Sequence, residues 1–419
     1  GVKYSNGKPF DATTVVRVFG WLQSKEGRRS LMGGELRGID HVAAIDPFTV
    51  EVVTKKPDPI LPRRMTAVMM VEPDTWKALG PEGFSTHPVG TGAFKVTDWQ
   101  PSRRRLTMSR SPTSWRPSKV DKVTFVELPA GAGRAQALLS GDVEIAFVDL
   151  EDVPRLRRNH IPVITAPSMQ VKGYTFHLVG GDPKSPVQDR RVRQALNYAI
   201  DKTAISERVL EGRPPPSGQP ATRESFGYDP AIPPYPYDPA KARKLLAEAG
   251  YPHGFSMVLN VMSDTAPGDD LISQAVAEYW RQVGVKTDLK VLTFADHMRR
   301  YTVNGWTGDA FSISWNTYQY YDVTRPMEDF SCHRPKPFFC DKAITAKLDA
   351  AEQIMDDGPR LKALQALARD YREAAPNVFI VEHRDVLAYS PRIGNVRVRH
   401  RVPVYEDVDL HPAAAQARN

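Results

Sequence analysis

Apolar positions recur every three to four residues along some stretches of the chain and every second residue along others. The first spacing predicts helices and the second predicts half-buried strands. Val15, Val16, Phe19 and Leu22 put a helix over 10–24, with Asp11 or Thr13 as its cap. Residues 41–54 alternate into two strands on either side of Asp46-Pro47. A proline-rich passage over 57–62 leads to a short helix near Met65. A tight loop at 89–92 opens a hairpin of strands over 94–99 and 105–109. Further strands are expected over 123–128, 143–148, 174–179, 257–261, 285–292, 310–315 and 378–382. Helices are expected over 132–139, 189–200, 201–210, 239–249, 271–283, 342–355 and 359–375, with Gly141, Gly250 and Gly284 as stops. The stretch 212–239, dense in proline, reads as loop.

Strands and helices alternate, so the fold class is α/β. At 419 residues the chain exceeds what one hydrophobic core supports, so two or more lobes are expected. No apolar run approaches the ~20 residues of a membrane-spanning helix. The net charge of +7 is thin for a chain of this length. Its densest basic runs are Arg103-Arg104-Arg105, Arg155-Leu156-Arg157-Arg158 and residues 397–401. They are scattered and lack interleaved aromatics, so they read as solvated surface and not as a nucleic-acid interface.

The signatures of catalysis are missing. There is no Gly-x-Ser-x-Gly elbow, no His-Glu-x-x-His helix and no phosphate-cradling Walker loop, and Gly90-Thr91-Gly92 lacks the third glycine of a dinucleotide fingerprint. Histidines stand singly, as at His87, His160 and His297. No enzyme, metal site or cofactor is expected. Cys332 and Cys340 are too few for a metal framework or a disulfide-dense scaffold, and leave either one disulfide or two free thiols. Gly1-Val2-Lys3-Tyr4 reads as a strand end ahead of the turn Ser5-Asn6-Gly7-Lys8, with no signal peptide before it. Upstream residues are therefore expected to be absent from this chain.

Four segments stand in a telling order. The first is Gly1-Val2-Lys3-Tyr4-Ser5-Asn6-Gly7-Lys8-Pro9-Phe10-Asp11-Ala12. The second is Val89-Gly90-Thr91-Gly92-Ala93-Phe94-Lys95, with Trp99, Ser111-Pro112 and Trp115 beyond it. The third is Asp189-Arg190-Arg191-Val192-Arg193-Gln194-Ala195-Leu196-Asn197-Tyr198-Ala199-Ile200-Asp201. The fourth runs from Tyr235-Pro236-Tyr237-Asp238-Pro239 to Ala249-Gly250-Tyr251. Together they resemble the bacterial peptide/nickel/opine solute-binding proteins of ABC importers, the family 5 extracellular solute-binding proteins, over nearly the whole chain. Each motif also has a plain structural reading: Pro239 starts a helix, Gly250 ends it, and Arg191 and Arg193 brace neighbouring loops.

The resemblance implies a two-lobe periplasmic-binding-protein fold with a hinge and a subdomain inserted in the first lobe. Residues 1–88 would be that subdomain, 89–180 and 386–419 the first lobe, and 181–385 the second. The family's N-terminal strand segment would precede Gly1. The implied function is a solute-binding subunit of an ABC importer. It would capture a peptide-like or other small organic solute between its lobes, as a monomer, and deliver it to an inner-membrane permease. The implied location is the periplasm, or a lipid anchor outside the cell. The alternatives are a ligand-presenting sensor or chaperone-like binding protein, and an oligosaccharide or opine binder of the same fold. An exported protein meets an oxidising compartment, which favours a Cys332–Cys340 disulfide.

In the dipeptide- and oligopeptide-binding members of the family, an Asp after a Trp-x-x pattern pairs with the ligand's ammonium. The resemblance lays Trp315-Asn316-Thr317-Tyr318 on that pattern, with Tyr318 in place of the Asp. Dipeptide binders also carry an Arg for the ligand carboxylate in a loop that here reads Ser263-Asp264-Thr265. With both anchors missing, a free dipeptide is not expected, because a desolvated charge needs a partner. What stands there is Trp315, Asn316, Thr317, Tyr318, Gln319, Tyr320 and Tyr321. These read either as an apolar strand end with surface tyrosines or as a stacking platform with hydrogen-bonding edges. On the second reading the ligand-binding residues are Trp315, Asn316, Thr317, Tyr318 and Tyr320. Trp315 and Tyr318 would stack, Asn316 and Thr317 would hydrogen-bond, and Asp322 would supply a charge if the register shifts.

Overall fold

The computed structural model describes residues 1–411 apart from 31, 34, 35, 129, 130, 211–213, 263–267, 304, 319 and 400. Helix α1, Ala12–Gln23, begins at a capping box. The Asp11 carboxylate accepts the Thr14 amide at 2.9 Å, and the Thr14 hydroxyl accepts the Asp11 amide at 3.1 Å. Its Val18, Phe19 and Leu22 meet Leu36, Ile39 and Val68 in a small core of their own. That core lies on the two-stranded antiparallel sheet β1 (Ile39–Asp46) and β2 (Thr49–Thr54). Helix α2, Pro73–Thr86, was not legible in the sequence, because Gly80-Pro81 breaks the helical pattern at its middle. Gly80 takes the left-handed φ of 66° that permits the kink. The hairpin β3 (Phe94–Gln100) and β4 (Arg105–Arg110) continues into β5 (Lys122–Val126) as a three-stranded antiparallel sheet.

The chain divides into two compact units: residues 1–146, 156–162 and 388–419 in the first, and 147–155 and 163–387 in the second. The chain crosses between them four times: in β6 (Ile145–Phe147), between 155 and 156, between 162 and 163, and in β11 (Asn377–Tyr389). The six-stranded sheet has the order β6-β11-β7-β10-β8-β9. Here β7 is Val163–Phe176, β8 Phe255–Met262, β9 Val285–Leu292 and β10 Ala310–Asn316. Strands β8, β9 and β10 run parallel, and β7 runs antiparallel to β10.

Strand β7 is far longer than the expected 174–179. Its first half, Val163-Ile164-Thr165-Ala166-Pro167-Ser168-Met169-Gln170, has no clean alternation; β10 pairs with β7 only from Gln170 onward, and the neighbour on the other side is β11. That pairing also carries 163–176 into the second unit, where the sequence reading kept 89–180 together. Likewise β11 runs on past 382 through polar residues that the sheet buries.

Helices pack on this sheet with few surprises. Helix α3, Arg190–Tyr198, is capped by Asp189, and α4, Pro239–Glu248, by Asp238. Arg193 donates to the carbonyls of Val187, Gln188, Ala374 and Ala375 at 2.8 to 3.1 Å for the shortest contact to each, bracing two loops. Helix α5, Asp269–Gln282, buries Trp280, whose indole N–H donates to the Leu196 carbonyl at 2.9 Å. After β10 come α6 (Thr324–Asp329), α7 (Lys342–Ala351) and α8 (Asp357–Ala374). Cys332 and Cys340 are joined by a disulfide in the link between α6 and α7.

Candidate functional site

Strand β10 of the second unit ends against the middle of β7, whose other neighbour is β11. On β10, Asn316 pairs with Gln170 of β7, and beyond it the Thr317 amide donates to the Met169 carbonyl at 3.0 Å. Met169 itself takes a left-handed φ of 61°, which bends β7 at this point. On the other side of β7, the Ser168 hydroxyl donates to the His383 carbonyl of β11 at 3.0 Å. The segment 215–228 spans this edge. Ser217 donates its amide to Ile380, Glu382 donates to Pro215, and Phe226 donates to Tyr321.

The sequence-derived residues do not all face outward here. Trp315 is 1% exposed. It stacks on Phe330 at 4.0 Å between centroids, with Tyr371 and Phe379 edge-on at 5.4 and 5.1 Å. Both the face against Phe330 and the flanking space are therefore occupied by the core, so the expected stacking of this ring on a ligand is corrected to core packing. Alternation along β10 puts Phe311, Ile313 and Trp315 on one face, and that face is the one the core covers. Thr317 is fully buried too. Its hydroxyl lies 2.6 Å from the Ser225 hydroxyl and 3.2 Å from the Met169 carbonyl, tying the segment 215–228 to β7. Tyr320 is buried, with the Arg325 guanidinium 5.7 Å from its ring centre. Asn316 and Tyr318 are half-buried, and the Asn316 side-chain oxygen accepts the Tyr318 amide at 2.7 Å. Gln319 and the loop Ser263-Asp264-Thr265 lie outside the described residues.

Asp322 does not offer a charge. It is fully buried, holds Arg360 through two hydrogen bonds of 2.7 and 3.0 Å, and accepts the amide and hydroxyl of Thr324.

A charged pair that the sequence reading missed stands on the same edge. The Glu382 side chain on β11 is 5% exposed, whereas that of Arg223 is 50% exposed. The Arg223 backbone N–H and its Nε–H both donate to Glu382 Oε2 at 3.4 Å. Burial pushes the Glu382 pKa up, opposed by Arg223 and reinforced by Glu224. Tyr228 is held above its ordinary pKa by burial and then by Glu382. The hydroxyls of Thr222, Ser225 and Thr317 run beside this pair, with Thr222 and Ser225 3.1 Å apart. One signal was available: a glutamate directly after the apolar run Val378-Phe379-Ile380-Val381 must be buried or must do something. Among the described residues, no group of three or more His, Cys, Asp or Glu could hold a metal ion.

A buried carboxylate with a half-exposed guanidinium can bind a polar, charged solute, while the buried hydroxyls of Thr222, Ser225 and Thr317 are spent on one another and on Met169. Residues 1–336 match the family model described as bacterial extracellular solute-binding proteins, family 5. The chain belongs to that family. It is a solute-binding protein of the kind that serves ABC importers, and its fold is the two-lobe α/β fold of periplasmic binding proteins. Members of this family are extracellular proteins, and no helix among the described residues is long and apolar enough to cross a membrane.

Among its relatives, the glutathione-binding protein GsiB of Pectobacterium atrosepticum is 26% identical over 98% of this chain and 81% of its own length. GsiB of Shigella flexneri is 30% identical, over 70% of this chain and 56% of its own length. Among solved structures, the ABC transporter-associated periplasmic binding protein DppA from Helicobacter pylori, in complex with the peptide STSA, superposes with a TM-score of 0.83 at 19% identity. It covers 98% of this chain and 85% of that one. The oligopeptide-binding protein AppA from Bacillus subtilis, in complex with a nonapeptide, gives 0.83 at 19%, covering 98% and 86%. At these identities the structural likeness speaks for the fold.

Proposed function

We propose that this protein captures a peptide-like solute at the edge formed by Asn316, Tyr318, Arg223 and Glu382, and delivers it to the membrane permease of an ABC importer. It acts as a monomer outside the cytoplasm, free in the periplasm or tethered by a lipid. The first unit serves as the first lobe, with 1–88 as its subdomain, and the second unit as the second lobe. The observation that carries the reading is the Arg223–Glu382 pair, because a half-exposed guanidinium beside a buried carboxylate suits a solute with charged ends. The names of the relatives, glutathione-binding and peptide-bound, support the same class. Asn316 and Tyr318 supply a hydrogen-bonding edge and an aromatic wall. Trp315, Thr317 and Tyr320, buried on either side of those two residues in the chain, belong to the packing beneath them.

The test is direct. Small molecules released on denaturing the purified protein are identified by mass spectrometry, and each is returned to the protein in a calorimeter. A peptide or γ-glutamyl compound that rebinds supports the reading. A saccharide or an opine as the only rebinding solute overturns it.

A further inference from the structure

Within the Arg223–Glu382 pair, the two charges leave their outer atoms open. Both contacts converge on a single oxygen, Glu382 Oε2. Among the described residues, Oε1 accepts no hydrogen bond, although the side chain is 95% out of contact with solvent. On the arginine only Nε and the backbone N–H are used, and Nη1 and Nη2 donate to no described residue. Oε1 is not among the side-chain oxygens that are both buried and without a partner, so it reaches the surface and is open to a donor from outside. A carboxylate with so little contact with water gains from such a donor. At 3.4 Å the arginine contacts are long for charge-assisted hydrogen bonds, which run at about 2.7–2.9 Å. The pair is therefore an acceptor and a two-pronged donor side by side, each still unfilled.

A planar fork of N–H groups matches a carboxylate, and a lone carboxylate oxygen matches an ammonium. One chemical group presents both at the spacing of neighbouring atoms, namely an α-amino acid whose amine and carboxylate sit on the same carbon. In an α-linked peptide the two charges stand at opposite ends. In a γ-linked glutamyl peptide the first residue keeps both. Resting on the peptide-like reading above, we propose that Glu382 and Arg223 together hold the α-amino-acid head of the solute. The ammonium sits on Glu382 Oε1 and the carboxylate in the Arg223 fork, so the site selects γ-linked over α-linked peptides. This pair also replaces the two charge anchors that the aromatic segment and the 263–265 loop lack in sequence.

Calorimetry with three probes tests this: glutathione, its N-acetyl derivative and the α-linked isomer Glu-Cys-Gly. Wild-type protein is expected to bind glutathione and to lose roughly tenfold to a hundredfold in affinity for each of the other two. E382Q should lose a similar factor for glutathione and little further for the N-acetyl form, because the ammonium it served is already blocked. R223Q, at a half-exposed position, keeps the test open if E382Q unfolds, and should weaken glutathione and its N-acetyl form by a similar factor, because both keep the α-carboxylate. Equal binding of glutathione and N-acetylglutathione overturns the assignment while leaving a peptide-like solute in place. So does preference for the α-linked isomer. If none of the three probes binds and the released solute has no peptide bond, the assignment and the functional reading fall together.

Discussion

Asp322 and Arg360 share two hydrogen bonds of 2.7 and 3.0 Å where neither side chain is more than 3% exposed. Asp322 closes the segment after β10, and Arg360 comes from the first turn of α8. The pair clamps the base of the candidate site to the helix behind it. Arg360 also lies 5.0 Å from the Phe226 ring centre, which fastens the segment 215–228 to the same point. The charge on Asp322 thus fixes the scaffold and is spent within it.

Removing one member of that pair leaves the other buried and unmatched. Asp322→Ala and Arg360→Ala are each expected to cost about 3–5 kcal/mol. The double variant Asp322→Leu/Arg360→Met should recover part of it, since a buried pair replaced by apolar groups is often close to neutral. Urea unfolding of the three variants checks this. Single variants within about 1 kcal/mol of wild type would show that the pair is not the clamp described.

Trp315 and Tyr318 should separate in their effects. Trp315→Ala empties a site packed by Phe330, Tyr371 and Phe379, and should lower stability by about 3–5 kcal/mol. Tyr318→Ala, at a half-buried position, should stay within about 1 kcal/mol in stability yet weaken solute binding. Thermal melts with and without the released solute distinguish them. A Trp315→Ala protein as stable as wild type contradicts the core assignment.

The disulfide closes a short loop, with 8 positions separating Cys332 from Cys340. By the chain-entropy relation its loss should cost about 2.5 kcal/mol. Titration of unreduced, denatured protein should find no reactive thiol, and the Cys332→Ser/Cys340→Ser variant should melt earlier. Two thiols per chain before reduction would contradict the bond.

Lys202 gives the second unit a pH dependence. It is 2% exposed, its ammonium reaches Asn197 Oδ1 at 3.3 Å, and the Tyr235 ring lies 5.4 Å away. Burial, with Arg372 adding to it, lowers its pKa to about 7 from 10.5. In the folded state the amine is therefore neutral through much of the range where the unfolded chain still holds the proton. The unfolded state binds more protons between these values, so stability from this group rises as pH goes from about 7 to 10.5 and is lowest below 7. The slope is at most about 1.4 kcal/mol per pH unit. Lys202→Met should flatten that rise relative to wild type in unfolding curves measured from pH 7 to pH 10. Parallel pH profiles would count against a neutral buried lysine.

Much of the fold was open to reading before any coordinates. Asp11, Asp189 and Asp238 cap the helices that their positions announce, and Gly141 and Gly250 adopt positive φ where helices end. Such signals are local: a side chain bonds a backbone amide two or three residues away, and nothing distant is needed. What escaped was non-local. Residues 163–170 carry Pro167 and mixed polarity, and become strand beside a distant segment, β11, with β10 joining only at Gln170. Helix α2 hid behind Gly80-Pro81.

At the candidate site the division is sharper. The sequence determined that an aromatic and amide segment follows β10, that family motifs run the length of the chain, and that two cysteines stand within reach of one another. It could not say which way Trp315 points, because a strand in a layered sheet has two faces and both accept aromatics. Only the packing of Phe330, Tyr371 and Phe379 decided that the ring belongs to the core. Only the tertiary structure brought Arg223 to Glu382, 159 positions apart in the chain, because that meeting depends on the segment 215–228 lying beside β11 at 380–382 and beside the residues that follow β10. Helix caps and glycine stops act over one turn of chain and are written in order. A buried carboxylate with one open oxygen exists only once distant segments have excluded water around it.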